Sequence, residues 1–130
     1  MIKLNDYIIS PTMFPDGTSQ VWKIPEEIFN QIGSTVEWDF THESEFLHLA
    51  QLKTLLDERT KRPTNLILNY LPYGRQDKFV SNNSTFALFT FANLLNSLNF
   101  KNVFITDPHS SAFLWINRSR AVYPVFNVTF

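Results

Sequence analysis

The sequence predicts an α/β fold in which a mostly parallel β-sheet carries flanking helices. Two observations predict it. Short segments with strand patterns alternate with two longer segments of helical periodicity, and the later strand segments are almost wholly apolar. Strands and helices that alternate along a chain form parallel sheets joined by right-handed crossovers. The 130 residues fit one domain, because a chain of this length buries roughly two thirds of its unfolded surface.

Strand and turn patterns fill the first forty residues. Residues 2–10 are a plausible first strand, and the Pro-Asp-Gly sequence within residues 14–18 is typical of a turn. Residues 19–24 and 34–40 both have strand composition. In the second of these, apolar residues alternate with acidic ones, which predicts one buried face.

Two segments have helical patterns. The first covers about residues 42–59, with Thr41 as its N-cap and Glu residues in its first turn, and Pro63 blocks its continuation. The second covers residues 85–98, with Ser84 as its cap. Apolar residues surround much of the axis of this second helix, so we expect it to be deeply packed.

The remaining segments complete the alternation. Residues 64–70 are a short apolar strand of the kind that is buried on both faces of a parallel sheet, and residues 101–106 are another short apolar strand. Residues 112–117 have the pattern of a short helix. Residues 121–128 read as a last strand, in which Pro124 implies a sheet edge or a bulge.

Two polar loops directly follow two of these strands. The stretch "LPYGRQDK" (71–78) follows the first apolar strand, and "DPHSS" (107–111) follows the next one. In open parallel sheets ligands bind beyond the carboxyl ends of the strands, and both loops belong to that edge. The order of elements therefore predicts one candidate site formed by two loops.

The residue types in the two loops suit a phosphate group with a bound cation. Arg75 offers a planar fork of donors that matches phosphate, Gln76 can donate and accept, and Lys78 is a compact point charge. On the other loop, Asp107 and His109 could hold a Mg²⁺-phosphate unit, with the carboxylate as the hard ligand.

Both loops also have ordinary structural interpretations. A polar Arg-Gln-Asp-Lys stretch is commonly a solvated turn, and Gly74 would give it a tight or positive-φ conformation. Asp107-Pro108 is a common start of a turn, and Ser110 is an ordinary helix cap. Spacing alone leaves the ligand site and the solvated turn both open.

Composition excludes several classes of function. The formal net charge of −1 creates no overall field that would attract nucleic acid or an acidic membrane surface. The absence of Cys excludes thiolate chemistry and Cys-based zinc sites. No run reaches the roughly 18 apolar residues of a membrane span, and the N-terminus lacks the pattern of a signal peptide. We therefore expect a cytoplasmic protein with neither a nucleic-acid nor a membrane partner.

Three stretches, in order, resemble segments of ribose-phosphate pyrophosphokinases, also called phosphoribosyl pyrophosphate synthetases. "FPDG" (14–17) resembles the family's "FSDGE" loop, and "YLPYGRQDK" (70–78) resembles its "PYARQD" segment. "FITDPHSSAFLW" (104–115) is similar to "TMDLHxxQIQGFF". The helical stretch "ESEFLHLAQLKTLL" resembles "NDNLMELLxMxxAL", and "PVFN" (124–127) lies where the family has its "VDN" region.

The resemblance implies an activity and a set of roles. These enzymes transfer the β,γ-diphosphoryl group of ATP to the C1 hydroxyl of ribose 5-phosphate, giving phosphoribosyl pyrophosphate and AMP. By the resemblance, Phe14 and Asp16 contact adenine in a neighbouring subunit's site. The ATP-binding positions of the second motif are Arg75, Gln76, Asp77 and Lys78. His109, together with Asp107, matches the contact with Mg²⁺-ATP.

The chain also departs from the family's pattern. Thr18 replaces the Glu of the adenine loop, Pro108 replaces the Leu between Asp and His, and Phe126 replaces the Asp of "VDN". The family's ribose-phosphate, pyrophosphate and mobile catalytic loops have no counterpart in residues 1–130. The resemblance therefore implies the N-terminal, ATP-side domain, half of a pyrophosphokinase with a phosphoribosyltransferase-like fold, which acts on ribose 5-phosphate only together with a second domain.

Two other functions stay open alongside the half-enzyme. The departures at Thr18 and Phe126 also fit a catalytically silent relative with a regulatory or scaffold role. A stand-alone nucleotide-binding module of unrelated function is the third reading. Thirteen Phe are more than a core of this size ordinarily needs, which together with the resemblance predicts a homo-oligomer with Phe14 near a subunit boundary.

Overall fold

The computed structural model describes residues 1–76, 83–108 and 111–123. In these ranges the strands are β1 (Ile2–Leu4), β2 (Tyr7–Ile8), β3 (Thr12–Met13), β4 (Ser19–Gln20), β5 (Ser34–Trp38), β6 (Thr64–Leu68), β7 (Asn102–Thr106) and β8 (Ser119–Val122). The helices are α1 (Glu26–Phe29), α2 (Glu45–Arg59) and α3 (Ala87–Asn96), with a 3₁₀ helix at Ser111–Trp115. None of the helices in these ranges is long and apolar enough to cross a membrane.

A six-stranded sheet with the order β2-β1-β5-β6-β7-β8 organises the molecule. Strands β5 to β8 are parallel to one another, whereas β1 runs antiparallel to both β2 and β5. Helix α2 joins β5 to β6, α3 joins β6 to β7, and the 3₁₀ helix joins β7 to β8. The predicted α/β class and mostly parallel sheet are confirmed.

The sheet is buried on one face only. Burial alternates along β5 and β6: Val36 and Leu66 are fully buried, whereas Glu37 and Asn65 on the other face are half-buried. Successive crossovers that all step in one direction place their helices on the same face when each is right-handed. The prediction that residues 64–70 are buried on both faces is therefore wrong, since α2 and α3 cover a single face.

The first predicted strand is a hairpin. Asn5 (φ 48°) and Asp6 (φ 69°) form the turn between β1 and β2, both in the left-handed region that two-residue hairpin turns require. The Asn5 side chain also accepts from the Thr35 N–H at 2.9 Å and donates to the Gly33 carbonyl at 3.2 Å. A polar side chain at the turn thus fixes β1 against β5.

The turn predicted at residues 14–18 is confirmed, but the strand predicted after it is short. The Phe14 N–H donates to the Thr18 carbonyl at 2.8 Å, closing the β3–β4 hairpin. Strand β4 covers two residues, because the Val21 N–H donates at 2.8 Å to the Gln51 side chain of α2 instead of to a strand. Helix α1 was not anticipated.

Helix α2 begins three residues later than predicted, and Thr41 is not its N-cap. Ser44 occupies the cap position and makes no side-chain capping hydrogen bond. The Glu45 carboxylate instead accepts from the Thr41 N–H at 2.7 Å and the His42 N–H at 3.0 Å. The helix ends at Arg59, close to the predicted position.

Helix α3 differs from its prediction in two ways. It begins at Ala87 after Phe86, so Ser84 is not the cap. Its packing is one-sided: Leu88, Phe91, Ala92 and Leu95 are buried. On its other side Leu94 is 50% exposed, which follows from the single sheet face against which the helix rests.

The end of the chain follows the prediction with shifted bounds. The short helix is a 3₁₀ helix that starts and ends earlier than residues 112–117. Strand β8 starts two residues before position 121. The predicted edge or bulge at Pro124 and the "PVFN" stretch lie outside the described residues.

Candidate functional site

Two loops leave the sheet at its carboxyl edge, as the order of elements predicted. Strands β6 and β7 are parallel neighbours, with Leu68 paired to Ile105 near their ends. The loop that contains Arg75 leaves β6 at this edge, and Asp107 follows β7 directly. The structure therefore places Arg75, Gln76 and Asp107 on loops at one edge of the sheet.

The backbone of the first loop is tight, but not for the predicted reason. Tyr73, not Gly74, carries the positive φ, at 63°. The Gly74 N–H donates to the Leu71 carbonyl at 3.3 Å, and a Cβ at position 74 would lie 3.2 Å from that same oxygen. Glycine at position 74 therefore allows the backbone to pass close to the Leu71 carbonyl, whereas Tyr73 carries the strain of a left-handed conformation.

Arg75 and Gln76 are exposed, and the loop that carries them is fixed to α3. The Gln76 carbonyl accepts from the Leu88 N–H at 3.2 Å, and the Gln76 N–H donates to the Tyr73 carbonyl at 2.9 Å. Both side chains lie at the surface. The arrangement presents a guanidinium and an amide to a ligand from a backbone that is anchored at both ends.

Asp107 occupies a strained position at the end of β7. Its φ is 48°, and its N–H donates to the Val122 carbonyl of β8 at 2.7 Å. The side chain is exposed, while Pro108 beside it is buried. The backbone bond and the buried proline hold the carboxylate at the sheet edge.

Asp107 carries a carboxylate, and a carboxylate is a common protein ligand of Mg²⁺ in a magnesium–nucleotide complex. Mg²⁺ keeps several waters and commonly binds one or two carboxylates together with substrate phosphates. The part of the chain that the structure describes contains no group of three or more His, Asp or Glu side chains able to cage a metal ion. Asp77, Lys78 and His109, together with Ser110, lie outside the described residues.

The β3–β4 hairpin carries the other two predicted site residues. The Asp16 carboxylate accepts from the Thr18 hydroxyl at 2.6 Å and from the Thr18 N–H at 3.0 Å, and these bonds lower the pKa of Asp16. Phe14 is 37% exposed. The Gln51 side chain holds the hairpin on α2 by accepting from Val21 and donating to the Ser19 carbonyl at 3.0 Å. No contact within the described ranges brings Phe14 to Arg75.

An aromatic cleft, lined in part by Tyr73 of the Arg75 loop, was missed at the level of sequence. It is a cavity of about 330 Å³ whose aromatic walls are Trp38, Phe40, Phe46, Tyr73 and Phe91. Ring centroids lie 5.4 Å apart for Tyr73–Phe91 and 6.1 Å apart for Trp38–Phe91. These residues come from a strand end, the Arg75 loop and two helices, so only the tertiary fold brings them together.

A tyrosine–carboxylate pair lies at the cleft. The Tyr73 hydroxyl donates to the Glu43 carboxylate at 2.7 Å. Burial, reinforced by the hydrogen bond and charge of Glu43, raises the pKa of Tyr73 to about 12. The tyrosine therefore stays a neutral donor and leaves the negative charge on Glu43.

No family model and no curated protein matches this sequence. Among solved structures, the fold is similar to the crystal structure of phosphoribosylpyrophosphate synthetase from Mycobacterium smegmatis, with a TM-score of 0.72 and 15% sequence identity. The match covers 89% of this chain and 39% of that chain. The chain thus has the α/β fold seen in that synthetase and spans about two fifths of its length.

Proposed function

We propose that this chain is the ATP-binding, N-terminal domain of a ribose-phosphate pyrophosphokinase. The observation that carries the proposal is that the Arg75-Gln76 loop and Asp107 follow neighbouring parallel strands at the same edge of the sheet. The likeness of fold to a phosphoribosylpyrophosphate synthetase supports it. The motifs on these two loops are the ones whose sequence resembles that family.

In this proposal, residues of both loops bind the triphosphate, and each makes a different contribution. Arg75 binds phosphate oxygens through its guanidinium fork, and Gln76 adds a neutral hydrogen bond. Asp77 and Lys78 follow in the same loop sequence, and Lys78 adds a point charge. Asp107, together with His109 two residues on, would hold Mg²⁺, and the bound cation would supply neutralisation of phosphate charge.

This chain alone should not make phosphoribosyl pyrophosphate. Ribose 5-phosphate needs a second domain, and holding two substrates in reacting geometry contributes roughly 7–11 kcal/mol to lowering a bimolecular barrier. We expect no AMP from the purified chain with ATP, Mg²⁺ and ribose 5-phosphate. Steady AMP formation at rates above those of a buffer control would contradict the division of the site between two domains.

Calorimetry of Mg²⁺-ATP binding tests the nucleotide-binding role directly. A charge-assisted contact contributes about 1.5–3 kcal/mol, so Arg75→Ala should weaken binding roughly tenfold or more. Arg120→Ala is a matched control, because Arg120 is an exposed arginine on β8. Equal affinities for the wild type, Arg75→Ala and Arg120→Ala would show that the loop is a solvated turn with no role in nucleotide binding.

One observation favours the catalytically silent relative as a second candidate. Thr18, which replaces the family's Glu, donates its N–H and its hydroxyl to one carboxylate oxygen of Asp16, the residue that the resemblance assigns to adenine. A regulatory role would show as a change in the activity of a full-length synthetase when this chain is added at micromolar concentration. An unchanged activity, with no complex seen by size-exclusion chromatography, would remove this candidate. Phe14 and Asp16 as adenine contacts of a neighbouring copy stay a prediction.

A further inference from the structure

We infer that Tyr73 is a positioning residue of the phosphate site. A hydrogen bond to Glu43 and packing among the rings of the aromatic cleft hold its side chain, and the side chain holds the Arg75 loop in its binding conformation. The inference rests on the proposed function and deepens it, because these two residues are not among those proposed to touch the nucleotide. Three observations carry it: the backbone conformation of Tyr73, the contacts of its side chain, and a second attachment of the loop at Gln76.

The backbone at Tyr73 directs the chain toward Arg75. A turn closes here where the Gly74 N–H donates to the Leu71 carbonyl at 3.3 Å. Pro72 is second in this turn and Tyr73 third, with a φ of 63°, which is the pattern of a type II turn. The third position normally has glycine or asparagine, so a tyrosine there is strained and needs contacts that hold it in place.

The Tyr73 side chain has such contacts with three parts of the fold. Its ring centroid lies 5.4 Å from that of Phe91 on α3 and 6.2 Å from that of Phe40, just beyond β5. Its hydroxyl donates at 2.7 Å to the carboxylate of Glu43, which lies just before α2. Phe91 also packs on the fully buried Trp38, with ring centroids 6.1 Å apart. The rings of the cleft thus pack against one another and fix the tyrosine to the core.

A second attachment of the loop follows Arg75. The Gln76 N–H donates to the Tyr73 carbonyl at 2.9 Å, which closes another turn around Arg75. The Gln76 carbonyl accepts at 3.2 Å from the N–H of Leu88, a fully buried residue of α3. Arg75 is therefore an exposed residue in a short span between two fixed points.

Two fixed points reduce the entropy that the loop loses when phosphate binds. A flexible loop has to be ordered by its ligand, whereas this loop is ordered in advance. Without the hydrogen bond at Tyr73, the loop occupies its binding conformation for a smaller fraction of the time, and the apparent affinity falls by that fraction. The pKa of Tyr73 is raised to about 12, chiefly by burial, so the hydroxyl keeps its proton and remains a donor at neutral pH.

Calorimetry of Mg²⁺-ATP binding to paired variants tests the inference. Tyr73→Phe keeps the ring and removes the donor, and Glu43→Ala removes the acceptor, so each should weaken binding about threefold or more. Because both changes break the same hydrogen bond, the double variant should bind no more weakly than the weaker single variant. Tyr7→Phe is the matched control on the edge strand β2, away from β6 and β7, and should bind as the wild type does.

Two further variants separate positioning from other roles of the same residues. Glu43→Gln keeps a carbonyl acceptor and should retain the affinity of the wild type, which a requirement for the negative charge would not allow. In the Arg75→Ala background, Tyr73→Phe should weaken binding by less than about twofold more, because the hydroxyl acts through Arg75. Thermal unfolding checks that each variant is folded at the temperature of the titration.

The outcomes distinguish the positioning role from the proposed function. Wild-type affinity in both Tyr73→Phe and Glu43→Ala overturns the positioning role and leaves the phosphate site standing. Weaker binding in Tyr73→Phe alone assigns the hydroxyl to direct contact with the nucleotide and also overturns it. Additive losses in the double variant contradict the pairing of the two residues. Failure of the wild type to bind Mg²⁺-ATP overturns the proposed function and the positioning role together.

Hydrogen exchange gives a second measurement that needs neither ligand nor Glu43→Ala. Local opening of the loop exposes its hydrogen-bonded amides, so exchange of the Gln76 N–H should be about threefold faster or more in Tyr73→Phe than in the wild type. The N–H of Leu66, a fully buried residue of β6, should exchange at the same rate in both. Equal exchange at Gln76 in the two proteins would show that the hydroxyl does not hold the loop.

Discussion

The Thr64 hydroxyl is a buried polar group for which the described residues offer no partner. Thr64 is 1% exposed, and its Oγ1 makes no hydrogen bond there. An unpaired buried hydroxyl costs about 1–3 kcal/mol, so Thr64→Val should raise the free energy of unfolding by about 1 kcal/mol. Urea denaturation measures this. Thr35→Val, on the half-buried face of the sheet, is the control and should change stability by less than about 0.5 kcal/mol.

Glu45 makes the stability of the chain depend on acid pH. Burial alone would raise its pKa, but hydrogen bonds from the N-terminal ammonium, Thr41 and His42 lower it from 4.5 to about 2. A lowered folded-state pKa stabilises the fold above pH 4.5, and this stabilisation is lost as pH falls toward 2. One pKa unit is worth about 1.4 kcal/mol, and solvent screens the exposed ammonium partner, so the loss is on the order of 1–2 kcal/mol.

Denaturation at a series of pH values tests this dependence. Glu45→Gln should be less stable than the wild type at pH 7 and should show a flatter decline between pH 4.5 and 2. Glu58→Gln, at an exposed position of the same helix, should decline as the wild type does. A Glu45→Gln profile parallel to that of the wild type would assign the acid sensitivity to other carboxylates.

Helix α2 contains an ion pair in which the lysine is buried and the aspartate is 52% exposed. Lys53 has a side chain 6% exposed, and its Nζ donates to both carboxylate oxygens of Asp57 at 2.6 and 2.7 Å. Removing one partner of such a pair is costly, so Asp57→Ala should lower the free energy of unfolding by about 1–3 kcal/mol.

Replacing the buried lysine should cost less than removing its partner. Because the desolvation of the buried lysine offsets much of its attraction to the exposed aspartate, the stability of Lys53→Met should stay within about 1 kcal/mol of the wild type or exceed it. Thermal unfolding of both variants, with Glu58→Ala as an exposed control, ranks them. A larger loss for Lys53→Met than for Asp57→Ala would show that the pair is strongly net stabilising.

At the scale of elements, local patterns predicted the parallel strands better than the ends of the helices. The alternation of residues 34–40 and the apolar segment 64–70 gave β5 and β6, because hydrophobic burial sets both patterns. The prediction that Thr41 caps α2 failed because the Glu45 carboxylate accepts hydrogen bonds from the N–H groups of Thr41 and His42. Capping rules do not describe this use of a side chain.

The candidate site was predictable only where it depends on strand order. The carboxyl edge of β6 and β7 follows from topology, so Arg75 and Asp107 could be placed together in advance. The aromatic cleft is formed by side chains from four elements that are distant in sequence, so no local sequence pattern predicts it. The one-sided burial of the sheet was also missed, because half-buried Asn65 and Ile67 look much like a central strand in sequence.

At the scale of the whole molecule, the hairpin presents apolar side chains to solvent. Met13 is 59% and Trp22 40% exposed, beside the partly exposed Phe14. Exposed apolar patches commonly mark interfaces, so we expect at least a dimer at micromolar concentration, with Phe14→Glu shifting it toward monomer. Light scattering measures the mass, and Leu114→Glu, at an exposed position far along the chain, is the control. A monomeric wild type would contradict the expectation.

The order of strands in the sheet has a consequence for how the chain folds. Strand β2 pairs with one edge of β1 and β5 with the other, and from β5 onward each new strand (β6, β7, β8) joins the free edge beside its predecessor. No strand has to insert between two that are already paired, so the sheet can grow by addition at one edge while the polypeptide leaves the ribosome N-terminus first. Pulse-labelling hydrogen exchange should then show protection in β1 and β5 before β8, and simultaneous protection of all strands would exclude this sequential growth.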